Sequence, residues 1–374
     1  MKKFFNVTSV RPTSPPDYLF TGVLLFLLIF GFVMLSSASS DLAQVRFGDS
    51  YYYIKRQLMN GLGIGLFAFL FASSFYYRRW EKLALPILVV SVLFLLLVFT
   101  PLGLSAKGAT RWLAFGGFSF QPSELLKFSF LLYVSFWASK HEKRLTGFTE
   151  GFLPLLILIG AVGLLLIKQP STTTFVLIFF ATFITYFVAG ARLRFLFLLL
   201  FVGAVGVSTI IYFTPYRLKR ILTFFHPEAS DSLGEGYHIN QAMTAIGSGG
   251  IFGVGYGKST TKLKYLPEPL GDSIFAVIAE ELGFVGSATL LSLFLFLVLR
   301  GLLIARKVSH QFAKLFCVSF SSLLGLQVFV HIGAISGVLP LTGVPLPFVS
   351  YGGTSLAMFL LMSGVIINIS RYRR

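Results

Sequence analysis

Hydrophobic residues gather along this chain into ten runs, at about residues 18–38, 58–77, 83–100, 122–139, 152–168, 171–189, 193–213, 272–299, 311–336 and 347–369. Each run is long enough to cross a hydrocarbon core of ~30 Å as a helix. None alternates apolar and polar residues with the period of a strand, so the pattern predicts helices rather than a barrel. The expected fold is an all-α polytopic membrane protein, with about ten transmembrane helices in one bundle and one domain over residues 1–374. Composition agrees: 55% of residues are hydrophobic, 12% are charged, and the mean hydropathy is +0.82. The first run ends in SSASS, which resembles a cleavage site, but the run is too long for a signal peptide and is kept as a span.

The net charge of +17 raises the question of an acidic partner, and the positions of the cations answer it. With a cytoplasmic N-terminus, the inner segments hold Lys2, Lys3 and Arg11; Arg78, Arg79 and Lys82; Lys140, Lys143 and Arg144; Arg192 and Arg194; Arg300, Arg306, Lys307 and Lys314; and Arg371, Arg373 and Arg374. These are 18 of the 31 basic residues, as the positive-inside rule expects. Both termini, residues 1–17 and 370–374, are then cytoplasmic. No basic surface interleaved with aromatics points to nucleic acid. The single cysteine, Cys317, excludes an intramolecular disulfide. His141 and Glu142 lack the second histidine of a zinc helix.

This topology puts one long connection, residues 214–271, on the outer face between spans 7 and 8. Loops of this length are functional or disordered, and its varied composition predicts an ordered cap. GYGKST within it is not a phosphate loop, because Phe252 stands where the pattern requires glycine. The loop leads into YLPEPLGDSIFAVIAEELGF, residues 265–284, where Asp272, Glu280 and Glu281 sit in an apolar stretch. On a helix starting near Asp272, the residues Ala276, Ala279, Glu280, Gly283, Gly286 and Ser287 share its side. That face is small and acidic. Small residues admit a close neighbour or leave a cavity, and ionisable groups at depth are functional candidates. Glu280 lies ~12 Å deeper than Asp272 by the helix rise and needs a polar partner. Asp272 also suits a helix cap, and the two glutamates equally suit a structural polar network.

A second outer segment, residues 105–128, carries Lys107 and Arg111 in a loop and Glu124 and Lys127 on one helical face. Cations beside a carboxylate suit an anionic, phosphate-bearing substrate; interfacial snorkelling is the alternative for Arg111. A third segment, SGVLPLTGVPLPFVSYGGTS at 336–355, puts prolines and glycines at membrane depth. Such backbone survives only where it is buried in protein or lines a cavity.

These motifs resemble the SEDS family (shape, elongation, division, sporulation) of peptidoglycan glycosyltransferases over nearly the whole chain. The resemblance rests on KGATRW at 107–112, QPSELLK at 121–127, HPEASDSLGEGYHINQA at 226–242, AIGSGG at 245–250, YLPE with GDSIFAVIAEELG, and GVPLPFVSYGGTSL at 343–356. SSAS at 36–39, YYYIKRQ at 51–57 and the spacing of GYGKSTTKLKYLPE lie nearer the division branch (FtsW) than the elongation branch (RodA). The resemblance implies polymerisation of lipid II on the outer face of the bacterial cytoplasmic (inner) membrane, with Asp272 as catalytic base. It implies a pocket drawn from Gln121, Glu124, Lys127, Arg111, Lys107, Glu280, Lys258, Lys262 and Ser350. Lys107, Arg111, Lys258 and Lys262 are candidates for the leaving pyrophosphate. No cofactor is certain; a divalent cation, magnesium or manganese, would serve the same end. Implied partners are a class B penicillin-binding protein transpeptidase and other divisome or elongasome membrane proteins.

The chain departs from the family pattern at Ser171, where aspartate is usual, at Leu270 and Gly271 before the catalytic aspartate, and at His331, where asparagine is common. Lys127 and Asp272 are expected to face one another across the pocket. Two other readings stand beside the enzyme. A lipid II flippase needs a polar path through both leaflets, whereas the ionisable and broken segments here gather on one side. A non-catalytic division scaffold leaves the clustered acids unexplained.

Overall fold

The computed structural model describes residues 11–106, 109–115, 118–225, 235–263 and 265–373. A helical rod stands at each of the ten apolar runs: α1 (Tyr18–Phe47), α2 (Tyr52–Ser74), α3 (Tyr77–Leu97), α4 (Pro122–Lys140), α5 (Phe148–Lys168), α6 (Thr172–Val188), α7 (Leu193–Tyr212), α10 (Ile274–Lys307), α11 (Gln311–Ile335) and α12 (Gly353–Ser370). Eight are long and apolar enough to span a membrane outright. The remaining two are α6, which is shorter, and α4, whose first turn holds Glu124 and Lys127. The protein is a multi-pass membrane protein.

Boundaries differ where backbone chemistry overrides hydropathy. α12 begins at Gly353 rather than near 347, because the proline-rich stretch before it is irregular. α10 runs on to Lys307, past the apolar stretch, with basic residues in its last turn. The connection between α3 and α4 forms a small antiparallel sheet that hydropathy did not predict, β1 (Gly103–Ala106), β2 (Ala109–Phe115) and β3 (Phe118–Phe120) in that order. The long connection is ordered where described, carrying α8 (Pro215–Phe225) and α9 (Glu235–Ser248); residues 226–234 of its HPEASDSLG motif lie outside the described residues.

α11 and α12 form the centre, 72% and 78% buried, whereas α7 at 17% is peripheral. α10 lies against α1, α9 and α11, and α2 against α12. At the end of the bundle where the first and last described residues lie, Asp17 is fully buried as the N-cap of α1. Its carboxylate accepts from the Phe20 N–H (3.0 Å), from Arg300 Nε (3.0 and 3.1 Å) and from Arg373 Nη1 (2.5 Å). Its own N–H donates to Ser370 Oγ at 3.0 Å. One carboxylate thus joins α1, α10 and the segment after α12.

The opposite end is organised by a break in α10. Gly283 takes φ 65° and ψ −163°, outside any helix. In a continuous helix the N–H groups of Phe284 and Val285 would bond to the carbonyls of Glu280 and Glu281. Instead they donate to Gly250 (2.9 Å) and Ile251 (3.1 Å), while the two freed carbonyls accept from Val254 and Gly255, each at 3.0 Å. The loop 250–255 is therefore threaded along the break, and four bonds replace the two that a helix would make. Only glycine fits the contact: a Cβ on Gly283 would lie 2.3 Å from Gly253 N, and one on Gly253 (φ 80°) 2.2 Å from the Glu281 carbonyl.

The side chains of the same two glutamates hold the next stretch of loop. Glu280 accepts from Ser259 Oγ (2.5 Å), from the Thr260 N–H (3.0 Å) and from the Thr261 hydroxyl. Glu281 pairs with Lys262 at 2.7 Å and accepts from Ser37 Oγ of α1 at 2.6 Å. Lys262 Nζ also reaches Ser37 Oγ and the Gly257 carbonyl. All these carboxylates are buried, where a charge survives only if paired and hydrogen-bonded.

Two outcomes are expected. Asp17→Ala should lower stability by an amount between the ~1 kcal/mol of a lost cap and the ~3–5 kcal/mol of a broken buried pair, with Asp17→Asn intermediate. Thermal melts in detergent check this, and an unchanged Tm for the alanine variant contradicts the clamp. Lys262→Met strands the Glu281 charge, so hydrogen exchange should accelerate about tenfold or more over residues 249–262 and stay unchanged in α11. Equal protection of that loop in both proteins counts against its anchoring role.

Candidate active site

Asp272 stands just ahead of α10, partly exposed, on backbone fastened from several sides. The Gly271 carbonyl accepts from Ser350 Oγ at 2.8 Å, and the Leu270 carbonyl from the Tyr351 N–H at 2.8 Å. Ser273 donates through Oγ to the Pro267 carbonyl (2.7 Å), leaving that oxygen to accept from His238 Nε2 at 2.6 Å. Behind them Gln57 of α2 accepts from the Gly352 N–H at 3.1 Å. Leu270 and Gly271, which break the family pattern in their side chains, are thus engaged through their carbonyls.

The carboxylate borders a small hollow, with room for about one water molecule, lined by Asp272, His331, Ala334, Ile335 and residues 341–344. Side chains from neighbouring helices fix its wall. On α11, Gln327 donates to the Pro345 carbonyl (2.9 Å) and His331, one turn on, donates through Nδ1 to the Val344 carbonyl (2.7 Å). Thr173 of α6 donates to the Thr342 carbonyl at 3.2 Å. Gly343 (φ 64°) abuts Asp272: a Cβ there would lie 3.5 Å from Oδ2.

Arg111 on β2 binds the carbonyls of Gln169 (3.2 Å) and Pro170, tying the sheet to the turn before α6, where Ser171 is buried. Burial draws its pKa below the usual arginine value; Tyr216 opposes that, Arg220 adds to it, and the Asp272 charge opposes it. Arg111, Arg217 and Arg220 therefore share one end of the bundle with Asp272. A guanidinium remains charged there in any case.

The other sequence-predicted residues divide by contact. Lys127 is buried and held by Glu124 (2.8 Å) and Gln327 Oε1 (2.9 Å), so its link to the hollow runs through Gln327 and the Pro345 carbonyl. Gln121 is the N-cap residue of α4, its N–H 3.4 Å from Thr354 Oγ1. Ser350 holds backbone, accepting from the Leu346 N–H while donating to Gly271. Glu280 and Lys262 serve the loop anchor rather than the lining of the hollow, and Lys258 is exposed in the loop. Lys107 lies outside the described residues. Among the described residues no three His, Cys, Asp or Glu side chains gather. The residues that sequence reasoning overlooked are Gln57, Gln327 and Ser259 to Thr261. A lone amide in an apolar helix was the available signal for the first two.

Comparison with known proteins agrees with this layout. Residues 17–374 match the profile of the FtsW, RodA and SpoVE family, described as cell cycle proteins. The chain is 38% identical over 367 residues to stage V sporulation protein E of Bacillus subtilis, covering 98% of this chain and all of that one. It is 39% identical over 352 residues to a probable peptidoglycan glycosyltransferase FtsW of Geobacter sulfurreducens, covering 92% of each. Among solved structures it resembles a chain from work on how a peptidoglycan synthase complex coordinates polymerization and crosslinking. That match has a TM-score of 0.80 at 30% identity and covers 96% of this chain and 99% of that one. The chain belongs to the FtsW, RodA and SpoVE family of cell cycle proteins, the SEDS family that its motifs resemble.

Proposed function

We propose that the chain is a peptidoglycan glycosyltransferase that polymerises lipid II during cell division, with Asp272 as the general base. The observation that carries the assignment of the base is a partly exposed carboxylate on immobilised backbone, at the mouth of a hollow and at the arginine-rich end of the bundle. Relatives named as FtsW glycosyltransferases support the reaction class. The distribution of Lys and Arg supports cytoplasmic termini and a site outside the cytoplasmic membrane.

The reaction moves one proton and one glycosyl group. The 4-hydroxyl of the GlcNAc in an incoming lipid II attacks the anomeric carbon of the growing strand. As the new C–O bond forms, the bond to undecaprenyl pyrophosphate breaks. A sugar hydroxyl is a poor nucleophile at neutral pH, and a carboxylate within hydrogen-bond reach takes its proton during the attack. The fastened 270–273 backbone supplies the orientation that such a transfer requires. The bonding electrons leave on the pyrophosphate, whose charge is met by Arg111, Arg217 and Arg220, in a setting where preformed cations are most effective. α8 bears the last two beside the exposed Tyr216 and Phe225, which suits a helix lying at the headgroup level.

A transpeptidase of the class B penicillin-binding type is the proposed partner, because the similar solved chain comes from a complex that both polymerises and crosslinks.

Asp272→Asn tests the reading. It keeps the size of the side chain and removes its proton affinity, so Tm should stay near that of the wild type while polymerisation of labelled lipid II, with the partner present, falls at least ~10²-fold. Full activity in the asparagine variant, with a loss of stability only in Asp272→Ala, would assign this carboxylate a structural role instead.

A further inference from the structure

We infer that residues 250–256 form a re-entrant segment that dips into the hydrocarbon of the leaflet nearer Asp272 and meets lipid acyl chains through Ile251, Phe252, Val254 and Tyr256. Two helices give its depth independently. The Asp17–Arg300 pair fixes one level across α1 and α10. Val33 lies 16 residues beyond Asp17 on α1 and Phe284 lies 16 residues from Arg300 on α10, so both stand ~24 Å from that level by the helix rise. The segment touches both helices there. Tyr256 donates its hydroxyl to the Val33 carbonyl at 3.1 Å, and Gly250 and Ile251 accept from the Phe284 and Val285 N–H groups. The flanking chain stands higher: Gly249 packs on the Ala279 carbonyl, and Lys262 binds Ser37 and Glu281, which are ~30 Å from the Asp17 level. The chain thus descends after Gly249, turns, and climbs back to residues 259–262.

That ~30 Å is the thickness of a hydrocarbon core, and the helix surfaces agree. The exposed α1 side chains Leu25, Phe26, Ile29 and Val33 are apolar, and Asp41 is the first exposed charge beyond them. On the exposed face of α10, Thr289 and Ser292 each donate to the carbonyl four residues back at 2.8 Å, a bond that keeps a hydroxyl satisfied without water. Phe252 is 79% exposed and Ile251 63%. In water they would form an uncommon apolar patch; at this depth they continue the apolar surface of Val33, Phe284 and Val285. Irregular backbone at membrane depth has to be satisfied by protein, and the break in α10 does this. The Val254 and Gly255 N–H groups bond to the Glu280 and Glu281 carbonyls, and the Gly253 N–H to the Gly249 carbonyl at 2.8 Å. The main chain is therefore spent on protein while the side chains face outward. This depth does not depend on the reaction that the chain performs.

Spin labels on the full chain, reconstituted alone into phosphatidylethanolamine–phosphatidylglycerol vesicles, test the placement. Nitroxides are attached at Ile251→Cys and Phe252→Cys, with Leu295→Cys within the apolar stretch of α10 and Asp41→Cys beyond the apolar band as references. All four replace exposed side chains. Cys317 is buried, and the natural chain treated alike gives the background. Collision with oxygen, which concentrates in hydrocarbon, is compared with collision with a water-soluble nickel chelate. At 251 and 252 oxygen contact should exceed nickel contact, as at 295, reversing the order found at 41. Nickel contact exceeding oxygen contact at either position puts the segment in water and overturns the inference. Weak contact with both reagents means that protein covers the segment, here a second copy of this chain, and overturns it equally. Either contrary result leaves the glycosyltransferase reading intact, because the labels report depth and not polymerisation.

Discussion

The break at Gly283 is the constraint on which the loop-bearing end of this protein depends. A helix interrupted inside a membrane protein exposes backbone groups that lipid cannot satisfy, and each unmet group costs several kcal/mol. Here the exposed groups become a docking edge. Phe284, Val285 and the carbonyls of Glu280 and Glu281 bond to residues 250–255, so a long connection with little core of its own is held by main-chain hydrogen bonds. The two glutamate side chains extend the attachment to residues 259–262 and, through Ser37, to α1. The question of why carboxylates occupy an apolar stretch thus has two answers. Glu280 and Glu281 tie down a loop, and Asp272, immediately before the buried stretch that begins at Ser273, borders the hollow.

The same helix connects the two ends of the bundle. α10 begins beside Asp272 and carries Arg300 into the clamp around Asp17, where the segments at both ends of the described chain meet. The walls of the hollow come from elsewhere. α11 positions consecutive carbonyls of the proline-rich segment through Gln327 and His331, and α2 holds that segment from behind through Gln57. The backbone at Asp272 is therefore held by elements remote in sequence, as the role proposed for it would require.

Much of the fold was legible in the sequence, because bilayer thickness imposes a length on every apolar run and the ten rods answer to it. The small face of Ala279, Gly283 and their neighbours correctly signalled close approach, although a loop rather than a helix makes the contact. What could not be read was pairing at long range. Glu280 and Lys262 looked like pocket residues because composition shows a charge but not its partner, and each is consumed by a neighbour that only the fold brings near. Lys127 is a similar case: its two ligands are Glu124, visible at helical spacing, and Gln327 on another span. The sheet at 103–120 escaped notice because its strands are short and half apolar, below what periodicity can resolve. Prolines and glycines, by contrast, marked the irregular 344–352 segment well, since few other residues tolerate such backbone.

The measurement that bears most directly on the account is the fate of labelled lipid II in vesicles containing the purified protein and its transpeptidase partner. Glycan polymer should accumulate only where substrate reaches the Asp272 face, with no protein-dependent movement of monomer between leaflets. Transfer of monomer across the bilayer without polymer would contradict the account, because the polar groups gathered at one end would then have to serve a path through both leaflets rather than a reaction at one.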